Sequence, residues 1–443
     1  MALNFVTFNQ DNSLLGVGSS KGFKLYTTEP FSVYYGNEEG DVSIMEMLFS
    51  TSLVALILSP RLLRILNTKK NTTICELTFP MKILAVRMNR KRLVVVLEDA
   101  IYIYDMSNMK LLSTVETSPN PHGLCALSPN SDNNFMAFPQ PSKQSVSSYN
   151  QPAHAPPTGN FLPPTTGEVL IYDTNKIESV NVIEAHQTTL GSLAINNSGT
   201  MLATASEKGT IIRVFSIPSG ERLFHFRRGS LPAQIYCMSF NAASTLLAVS
   251  SATETIHIFK LVAQQSSSRQ AGSSVSPPEP ASPTTPDAVS RRRSESFSSG
   301  LDRSGSNSDD DMGTPTHDPS PPPRPASNTL ASMIRRTSQN VGLSLAARVG
   351  GYLPSSVTEM WEPARDFAWV KVPRLARGQL GGPGTSPVKS VVAMSGAHPQ
   401  LMVVTSEGQF LVYTLSLESG GEGVLEKQYS VLDQKSDMGY PGD

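Results

Sequence analysis

Residues 202–215 read Leu-Ala-Thr-Ala-Ser-Glu-Lys-Gly-Thr-Ile-Ile-Arg-Val-Phe, which is a short apolar run, a small or polar turn and a second apolar run ending at an aromatic. Short β-rich runs separated by turn residues indicate a hairpin rather than a helix. The same pattern recurs along the whole chain. The paired runs are Leu14–Val17 with Phe23–Tyr26, Leu53–Leu58 with Leu62–Leu66, Leu93–Leu97 with Ile101–Tyr104, Phe135–Phe138 with Val169–Tyr172, Leu202–Ala205 with Ile211–Phe215, Leu246–Val249 with Thr255–Phe259, and Leu401–Val404 with Phe410–Tyr413.

The copies are spaced almost evenly. Leu14 and Leu53 are 39 residues apart, and Leu53 and Leu93 are 40 apart. The step from Leu202 to Leu246 is 44 residues. A period of about 40–45 residues is typical of four-stranded propeller blades, which close into a ring so that no hairpin must bury its own core. The sequence therefore predicts an all-β, seven-bladed β-propeller of the WD-repeat type. An ordinary β-sandwich is the alternative, but it would not repeat so evenly.

Two insertions interrupt the repeat. Residues 140–166 are rich in Pro, Ser, Gln and Asn, and residues 264–353 contain runs such as Ser-Pro-Pro-Glu-Pro and Ser-Asp-Asp-Asp. Such composition cannot bury enough apolar surface to offset chain entropy, so both are predicted to be disordered loops extruded from the ring. The predicted organisation is blades 1 to 3 and the start of blade 4 in 1–139, the first loop in 140–166, the remainder up to blade 6 in 167–263, the long loop in 264–353, the end of blade 6 and blade 7 in 354–433, and a flexible tail in 434–443.

Bulk composition restricts the possible functions. The 443 residues include 36 Lys and Arg against 37 Asp and Glu, a formal net charge of -1. The molecule as a whole therefore carries no strong field toward nucleic acid, and any recognition of anions must be local. The cysteines Cys75, Cys125 and Cys237 are far apart, which suits a reducing compartment and excludes a disulfide framework or a zinc site.

Neither a targeting segment nor an enzyme motif is apparent. The N-terminus has no basic start or sustained apolar core, and the apolar stretch around Leu53–Leu58 is far shorter than a bilayer span of about 20 residues. Neither an HExxH motif nor a paired-carboxylate constellation is present in the sequence. Gly16-Val-Gly18 followed by Gly22 lies in a hairpin with no helix behind it, so it is not a phosphate-binding loop. We expect a soluble or peripheral protein that is not an enzyme and uses no cofactor or metal.

One motif carries unusual chemistry. Residues 223–229 read Leu-Phe-His-Phe-Arg-Arg-Gly and alternate as a strand does. Successive side chains on a strand point to opposite faces, so Arg227 and Arg228 should serve two different pockets. Gly229 removes a side chain where the backbone must turn or where a ligand approaches closely. The plainer alternative is a pair of solvated charges on an outer strand.

The motif Phe226-Arg227-Arg228-Gly229 resembles that of the PROPPINs, the WIPI-type autophagy propellers that bind phosphatidylinositol 3-phosphate and phosphatidylinositol 3,5-bisphosphate. Residues 202–216, 253–261, 8–11 and 352–355 are similar to that family as well. The similarity covers the whole propeller and is closest to the fungal members. It departs from the family in the two long insertions, which vary in length.

The resemblance implies two head-group pockets. The first would use Arg227 with Ser206, Gly209, Thr210, Arg213 and His186. The second would use Arg228 and Gly229 with Ser251, Thr255 and His257. Arginine binds phosphate oxygens bidentately, while hydroxyls and histidines add donors around an inositol ring. Each member also has an ordinary structural explanation. Ser206 and Thr210 suit a hairpin turn, His186 suits a core histidine, and His257 suits a packed side chain.

Two further surfaces are expected. Residues 328–349 form a possible basic amphipathic helix whose apolar arc would insert into a membrane, the alternatives being a disordered tether or a helix packed on the propeller. The apolar arc consists of Leu330, Met333, Ile334, Val341 and Leu345. Pro60 and Arg61 match residues that in the family help recruit the large bridge-like lipid-transfer protein of autophagy. An ordinary Pro-containing turn is the alternative.

The resemblance thus implies a phosphoinositide effector that recruits autophagy machinery for autophagosome formation and has a vacuolar and endosomal role. We expect it in the cytoplasm and peripherally on phagophore, pre-autophagosomal, endosomal and vacuolar membranes, without a transmembrane segment and without nucleic acid as a partner. The competing hypothesis is a generic WD-type propeller scaffold that binds only proteins.

Overall fold

The computed structural model describes residues 3–38, 40–143, 161–162, 164–262, 363–373 and 387–432. All regular elements within those ranges are β-strands. The expected amphipathic segment 328–349, with Leu330, Met333, Ile334, Val341 and Leu345, lies outside the described residues. No helix in the described ranges is long and apolar enough to cross a membrane.

The first four blades occupy the N-terminal half. Blade 1 contains β1 (Leu3–Phe8), β2 (Leu14–Ser19), β3 (Gly22–Thr28) and β4 (Phe31–Asn37). Blade 2 contains β5 (Ile44–Met47), β6 (Leu53–Ser59), β7 (Leu62–Asn67) and β8 (Thr72–Thr78). Blade 3 contains β9 (Ala85–Met88), β10 (Arg92–Val96), β11 (Ala100–Asp105) and β12 (Leu111–Glu116). Blade 4 contains β13 (Ala126–Leu127), β14 (Phe135–Pro139), β17 (Gly167–Asp173) and β18 (Glu178–His186), with a separate pair, β15 (Ser142–Lys143) and β16 (Phe161–Leu162), between β14 and β17.

The remaining three blades complete the ring. Blade 5 contains β19 (Leu190–Ile195), β20 (Met201–Ser206), β21 (Ile211–Ser216) and β22 (Arg222–Arg227). Blade 6 contains β23 (Ile235–Phe240), β24 (Leu246–Ser251), β25 (Thr255–Lys260) and β26 (Ala368–Lys371), with β30 (Gly421–Glu422) added in parallel. Blade 7 contains β27 (Ser390–Met394), β28 (Gln400–Thr405), β29 (Gln409–Thr414) and β31 (Val424–Ser430).

The seven hairpins read from the sequence are the two central strands of the seven blades. Leu202–Ala205 lies within β20, and Ile211–Phe215 lies within β21. The prediction of a seven-bladed β-propeller is therefore confirmed, and the β-sandwich alternative is wrong. Blade 6 takes its fourth strand from beyond residue 363, because β25 pairs with β26 in antiparallel register from Thr255–Lys371 to Ile258–Ala368.

Each blade shares one of its faces with each neighbour. In blade 5, Leu202 and Phe215 belong to the core shared with blade 4. Ala203 and Val214, one residue along each strand, belong to the core shared with blade 6. The period of two along a strand produces this division, because adjacent side chains point to opposite faces. Seven such cores fill the spaces between all adjacent blades.

Side chains, rather than a shared strand, close the ring between blades 7 and 1. Tyr26 and Phe31 of blade 1 pack with Phe410 and Tyr429 of blade 7, and the rings of Phe31 and Phe410 stack at 4.7 Å. The Tyr26 hydroxyl donates to the carbonyl oxygen of Val431 at 3.0 Å. Burial raises the pKa of Tyr26 to about 12, so this hydroxyl stays a donor at neutral pH.

Replacing Phe410 with Ala should open this closure. Phe410 is completely buried, so the truncation leaves a cavity and should lower the free energy of unfolding by about 3–5 kcal/mol. Tyr34→Ala is the control, because Tyr34 is 52% exposed on an outer strand and its loss should change stability by less than about 0.5 kcal/mol. Urea unfolding followed by circular dichroism measures both. Equal urea midpoints for Phe410→Ala and the unmodified protein would contradict the role of Phe410 in closing the ring.

Candidate functional site

The outer strand of blade 5, β22, sets the directions of the arginine pair. Phe226 is buried against blade 6, where its ring stacks on Phe259 at 4.7 Å. His225 and Arg227 therefore lie on the opposite face of the strand, toward blade 4. Arg227 is exposed, and no hydrogen bond or ion pair holds its guanidinium within the described part of the chain.

The strand is shorter than the sequence suggested. We expected residues 223–229 to form it, but β22 ends at Arg227, and Arg228 and Gly229 begin the link to blade 6. The reason is visible in the backbone. The amide of Arg228 donates to the carbonyl of Thr210 at 2.9 Å, whereas the amide of Arg227 donates outward to the carbonyl of Ala364 at 2.9 Å. The chain then turns away toward β23.

Arg228 is buried, with 6% of its surface exposed. Its Nε donates to the carbonyl oxygen of Gly209 at 2.7 Å, and its Nη2 donates to the carbonyl oxygen of Leu231. Burial lowers the pKa of this guanidinium. Both acceptors are neutral, and no described carboxylate lies within ion-pair distance, so the buried positive charge has no counterion of its own. Such a charge favours an anionic ligand.

The structure gives the two glycines of the motif different roles. Gly209 has φ = +60°, and a Cβ there would overlap the carbonyl oxygen of Ala233, so the fold itself requires glycine. Gly229 lacks a positive φ, and a Cβ there would meet nothing within 4 Å. Neither a positive φ nor the packing of the described chain requires glycine at 229.

The face of blade 5 that points toward blade 4 carries a cluster of basic side chains. Thr204, Arg213 and His225 are aligned across β20, β21 and β22. Arg213 Nη1 donates to Nδ1 of His186 at 2.8 Å and to the carbonyl of Ala185 at 2.8 Å. Since Nδ1 accepts this bond, the imidazole proton lies on Nε2, which donates to the Thr204 hydroxyl at 3.0 Å. Burial, and then Arg213, lowers the pKa of His186 to about 4, so the ring is neutral at pH 7.

His225 belongs to the same cluster, although the sequence analysis did not select it. Burial lowers its pKa, and Arg213, Arg222 and Arg227 lower it further. Its Nε2 atom is buried and has no hydrogen-bond partner within the described ranges. Its position two residues before Arg227 on a strand was the signal available in the sequence, since residues i and i+2 share a face.

The second group of predicted residues lies on the blade 6 side. Ser251, Thr255 and His257 share the face of blade 6 that carries Val249 and Phe259, and this face packs against blade 5. The Ser251 hydroxyl, which is 1% exposed, bonds to the Thr253 hydroxyl at 2.9 Å. All three therefore face the same interblade space as Phe226.

His257 has a carboxylate partner that the sequence did not reveal. Its Nδ1 donates to Oδ2 of Asp366 at 2.8 Å, and both side chains are largely buried. The two residues are 109 positions apart, on either side of the long insertion. The pair fixes the ring so that Nε2 is the nitrogen left for a ligand.

The turn between β20 and β21 contacts both sides of the blade. Gly209 and Thr210 were assigned to the pocket of Arg227, but their carbonyls accept hydrogen bonds from Arg228. Ser206, which is 7% exposed, closes the turn by accepting from the amide of Gly209 at 2.8 Å. The main chain of this turn therefore binds Arg228, the arginine of the second predicted pocket.

Pro60 and Arg61 lie in the β6–β7 turn of blade 2, on a different blade from the arginine pair, and both are exposed. Arg61 Nε donates to the carbonyl of Phe79 at 2.8 Å, and the carbonyl of Pro60 accepts from the amide of Ile83 at 2.8 Å. The turn is thus tied to the start of the link to blade 3, and its outer surface is free to meet a partner.

A different cavity lies on the axis of the ring. Its volume is about 850 Å³, and the innermost strands of the blades line it. Burial raises the pKa of Glu46 in this channel to about 7, although Arg87 and Gln10 lower it. Arg227 and Arg228 do not line this cavity, so the arginine pair lies on the outer part of blade 5 and not in the channel.

Comparisons with known proteins agree with this geometry. The PROPPIN family model matches residues 2–151 and 158–277. Autophagy-related protein 18 of Emericella nidulans is 55% identical over 443 residues, covering 99% of each chain. Autophagy-related protein 18 of Aspergillus terreus is 57% identical over 431 residues, covering 97% of this chain and all of that one.

Solved structures show the same fold. KlAtg21, in complex with the coiled coil of AgAtg16, matches with a TM-score of 0.60 and 26% identity over 97% of this chain and 99% of that chain. Kluyveromyces lactis Hsv2 matches with a TM-score of 0.60 over 97% of this chain and 99% of its own, at 16% identity.

Replacing the two glycines with alanine should change the stability of the protein to different extents. Gly209→Ala introduces a Cβ against the Ala233 carbonyl at a left-handed φ, so it should lower the free energy of unfolding by about 2 kcal/mol or more. Gly229→Ala should change it by less than about 0.5 kcal/mol, because its Cβ enters open space. Urea unfolding measures both variants. Equal destabilisation would show that the fold, and not a ligand, requires Gly229.

Proposed function

Because this chain belongs to the PROPPIN family, we propose that it binds phosphatidylinositol 3-phosphate and phosphatidylinositol 3,5-bisphosphate on membranes through two pockets, one on each side of blade 5. The first pocket would use Arg227 with Ser206, Gly209, Thr210, Arg213 and His186. The second would use Arg228 and Gly229 with Ser251, Thr255 and His257. Bound in this way, the protein would recruit autophagy machinery to the marked membrane.

One observation carries this proposal. Two consecutive arginines leave blade 5 toward opposite neighbours, and no described carboxylate neutralises either of them. A solvated pair of surface charges would not bury Arg228 to 6% exposure or bind it to main-chain carbonyls. A guanidinium binds phosphate through paired N–H donors that match the geometry of its oxygens.

Two weak sites on one rigid blade would give strong membrane attachment. Once one head group is bound, binding of the second becomes effectively intramolecular. The overall charge of -1 adds no long-range attraction to an anionic surface, so recognition would depend on the pockets themselves. This arrangement would select membranes by lipid identity rather than by surface charge alone.

Further contacts of the same function are proposed for other regions. Residues 328–349 would insert into the membrane through Leu330, Met333, Ile334, Val341 and Leu345. The exposed turn at Pro60 and Arg61 would bind the large bridge-like lipid-transfer protein of autophagy. Since KlAtg21 has been solved with the coiled coil of AgAtg16, a coiled-coil autophagy protein is also a candidate partner. These contacts would place the protein in the cytoplasm and on phagophore, pre-autophagosomal, endosomal and vacuolar membranes.

Arg227→Thr should lower the affinity for vesicles that contain phosphatidylinositol 3-phosphate by about tenfold or more, because it removes a charge-assisted hydrogen bond to phosphate. Liposome flotation measures the effect, and circular dichroism verifies the fold. Arg90→Thr is the matched control, since Arg90 is also exposed but lies between β9 and β10 of blade 3. If the two variants bind equally, or if Arg227→Thr binds as the unmodified protein does, the generic protein-binding scaffold is the better description.

The first pocket should bind more tightly as the pH falls. Burial, and then the neighbouring arginines, lower the pKa of His225 in the free protein, whereas a bound phosphate would raise it. Binding is therefore accompanied by the uptake of a proton at His225. As the pH falls, the affinity should increase by up to about tenfold for each unit by which the ligand raises the pKa of His225.

His225→Gln removes this gain. Isothermal titration calorimetry with short-chain phosphatidylinositol 3-phosphate between pH 7.5 and 5.5 measures the dissociation constants of His225→Gln and of the unmodified protein, and their ratio is compared across the pH range. The phosphate itself loses charge over this range, and comparing both proteins at each pH cancels that effect. A ratio that stays constant with pH would exclude a role for His225.

A further inference from the structure

The link between blades 5 and 6 projects an apolar side chain into solvent. Leu231 is 76% exposed, the highest fraction among the large apolar side chains of the described residues. Single exposed leucines are common on protein surfaces and need no explanation by themselves. The backbone that carries Leu231 is what distinguishes it.

Leu231 is held by the same guanidinium that we propose as a phosphate ligand. Nη2 of Arg228 donates to the Leu231 carbonyl, so this arginine fixes the position of the loop. The amide of Ala233 donates to the carbonyl of Lys208 at 3.0 Å, which ties the other end of the loop to the β20–β21 turn. Pro232 limits the backbone between these two bonds. The leucine is thus presented by a fixed loop rather than by a free one.

The position of the bilayer follows from this arrangement. A phosphate bound by a free N–H of Arg228 must lie within about 3 Å of the guanidinium. The Leu231 carbonyl lies on another nitrogen of that same group. A head group bound to Arg228 would therefore lie beside the backbone of Leu231, and only the inositol ring and its phosphodiester would separate that phosphate from the bilayer. Lys208, whose carbonyl binds the Ala233 amide of this loop, is exposed and would face anionic lipid.

We propose that Leu231 inserts between lipids beside the head group bound to Arg228, and so forms an apolar membrane contact built into the propeller itself. This inference rests on the proposed function, and it concerns a contact separate from residues 328–349. The Leu231 side chain would contact the acyl chains at the interface of the bilayer. The phosphate contact selects the lipid, and Leu231 adds affinity that a water-soluble head group cannot provide.

Two ligands separate this contact from phosphate binding. Short-chain, water-soluble phosphatidylinositol 3-phosphate reports the pocket alone, and vesicles containing the full-length lipid report the pocket together with the bilayer. Leu231→Ser should weaken vesicle binding by about tenfold, the value expected for losing a buried leucine side chain, and should leave the short-chain affinity unchanged. Val424→Ser is the matched control, because Val424 is 69% exposed on the outer strand of blade 7.

Each other outcome is informative. Unchanged vesicle binding by Leu231→Ser would overturn the inference. A parallel loss of short-chain affinity would also overturn it, because Leu231 would then act through Arg228. If the unmodified protein bound neither ligand, the proposed function itself would fail, and the inference with it. As an independent measurement, the fluorescence of Leu231→Trp should shift to the blue on vesicles and be quenched by lipids brominated on their acyl chains. Emission that does not respond to vesicles would contradict insertion.

Discussion

The alternation of side chains along β22 is the constraint on which the candidate site depends. Phe226 must enter the core between blades 5 and 6, where it stacks on Phe259. Since neighbours on a strand face opposite ways, this one packing requirement turns Arg227 toward blade 4. The chain then leaves the strand at Arg228, which turns to the other side and binds the Gly209 carbonyl. The hydrophobic core and the separation of the two arginines are thus consequences of the same geometry.

The electrostatic arrangement differs between the two arginines. Arg228 is buried and is bound by neutral carbonyl groups, which fix its direction without cancelling its charge. Arg227 is exposed beside His186, His225 and Arg213, and burial, followed by the positive charge of Arg213, lowers the pKa of both imidazoles. The fold keeps unneutralised positive charge on both sides of one blade, even though the chain as a whole is nearly neutral.

Periodic features of the fold could be predicted from the sequence, and non-local ones could not. The hairpin period gave all seven blades, because each hairpin is a local, contiguous element. The end of β22 at Arg227 was missed, since it depends on the Ala364 and Thr210 carbonyls. The partner of His257 was missed because Asp366 reaches it across the long insertion. The structural need for glycine at 209 could not be predicted either, because only the folded backbone shows how close the Ala233 carbonyl comes.

Residues 363–371 bridge the two sides of the candidate site. Ala364 accepts from the amide of Arg227 on blade 5, Asp366 accepts from His257 on blade 6, and β26 completes the blade 6 sheet. If the two pockets bind head groups as we propose, docking of this segment and occupancy of either pocket would be thermodynamically linked. A ligand that favours docking of the segment is bound more tightly when the segment is docked, and the two free-energy changes are equal. Conversely, an interaction that pulls the segment away would weaken binding at both pockets.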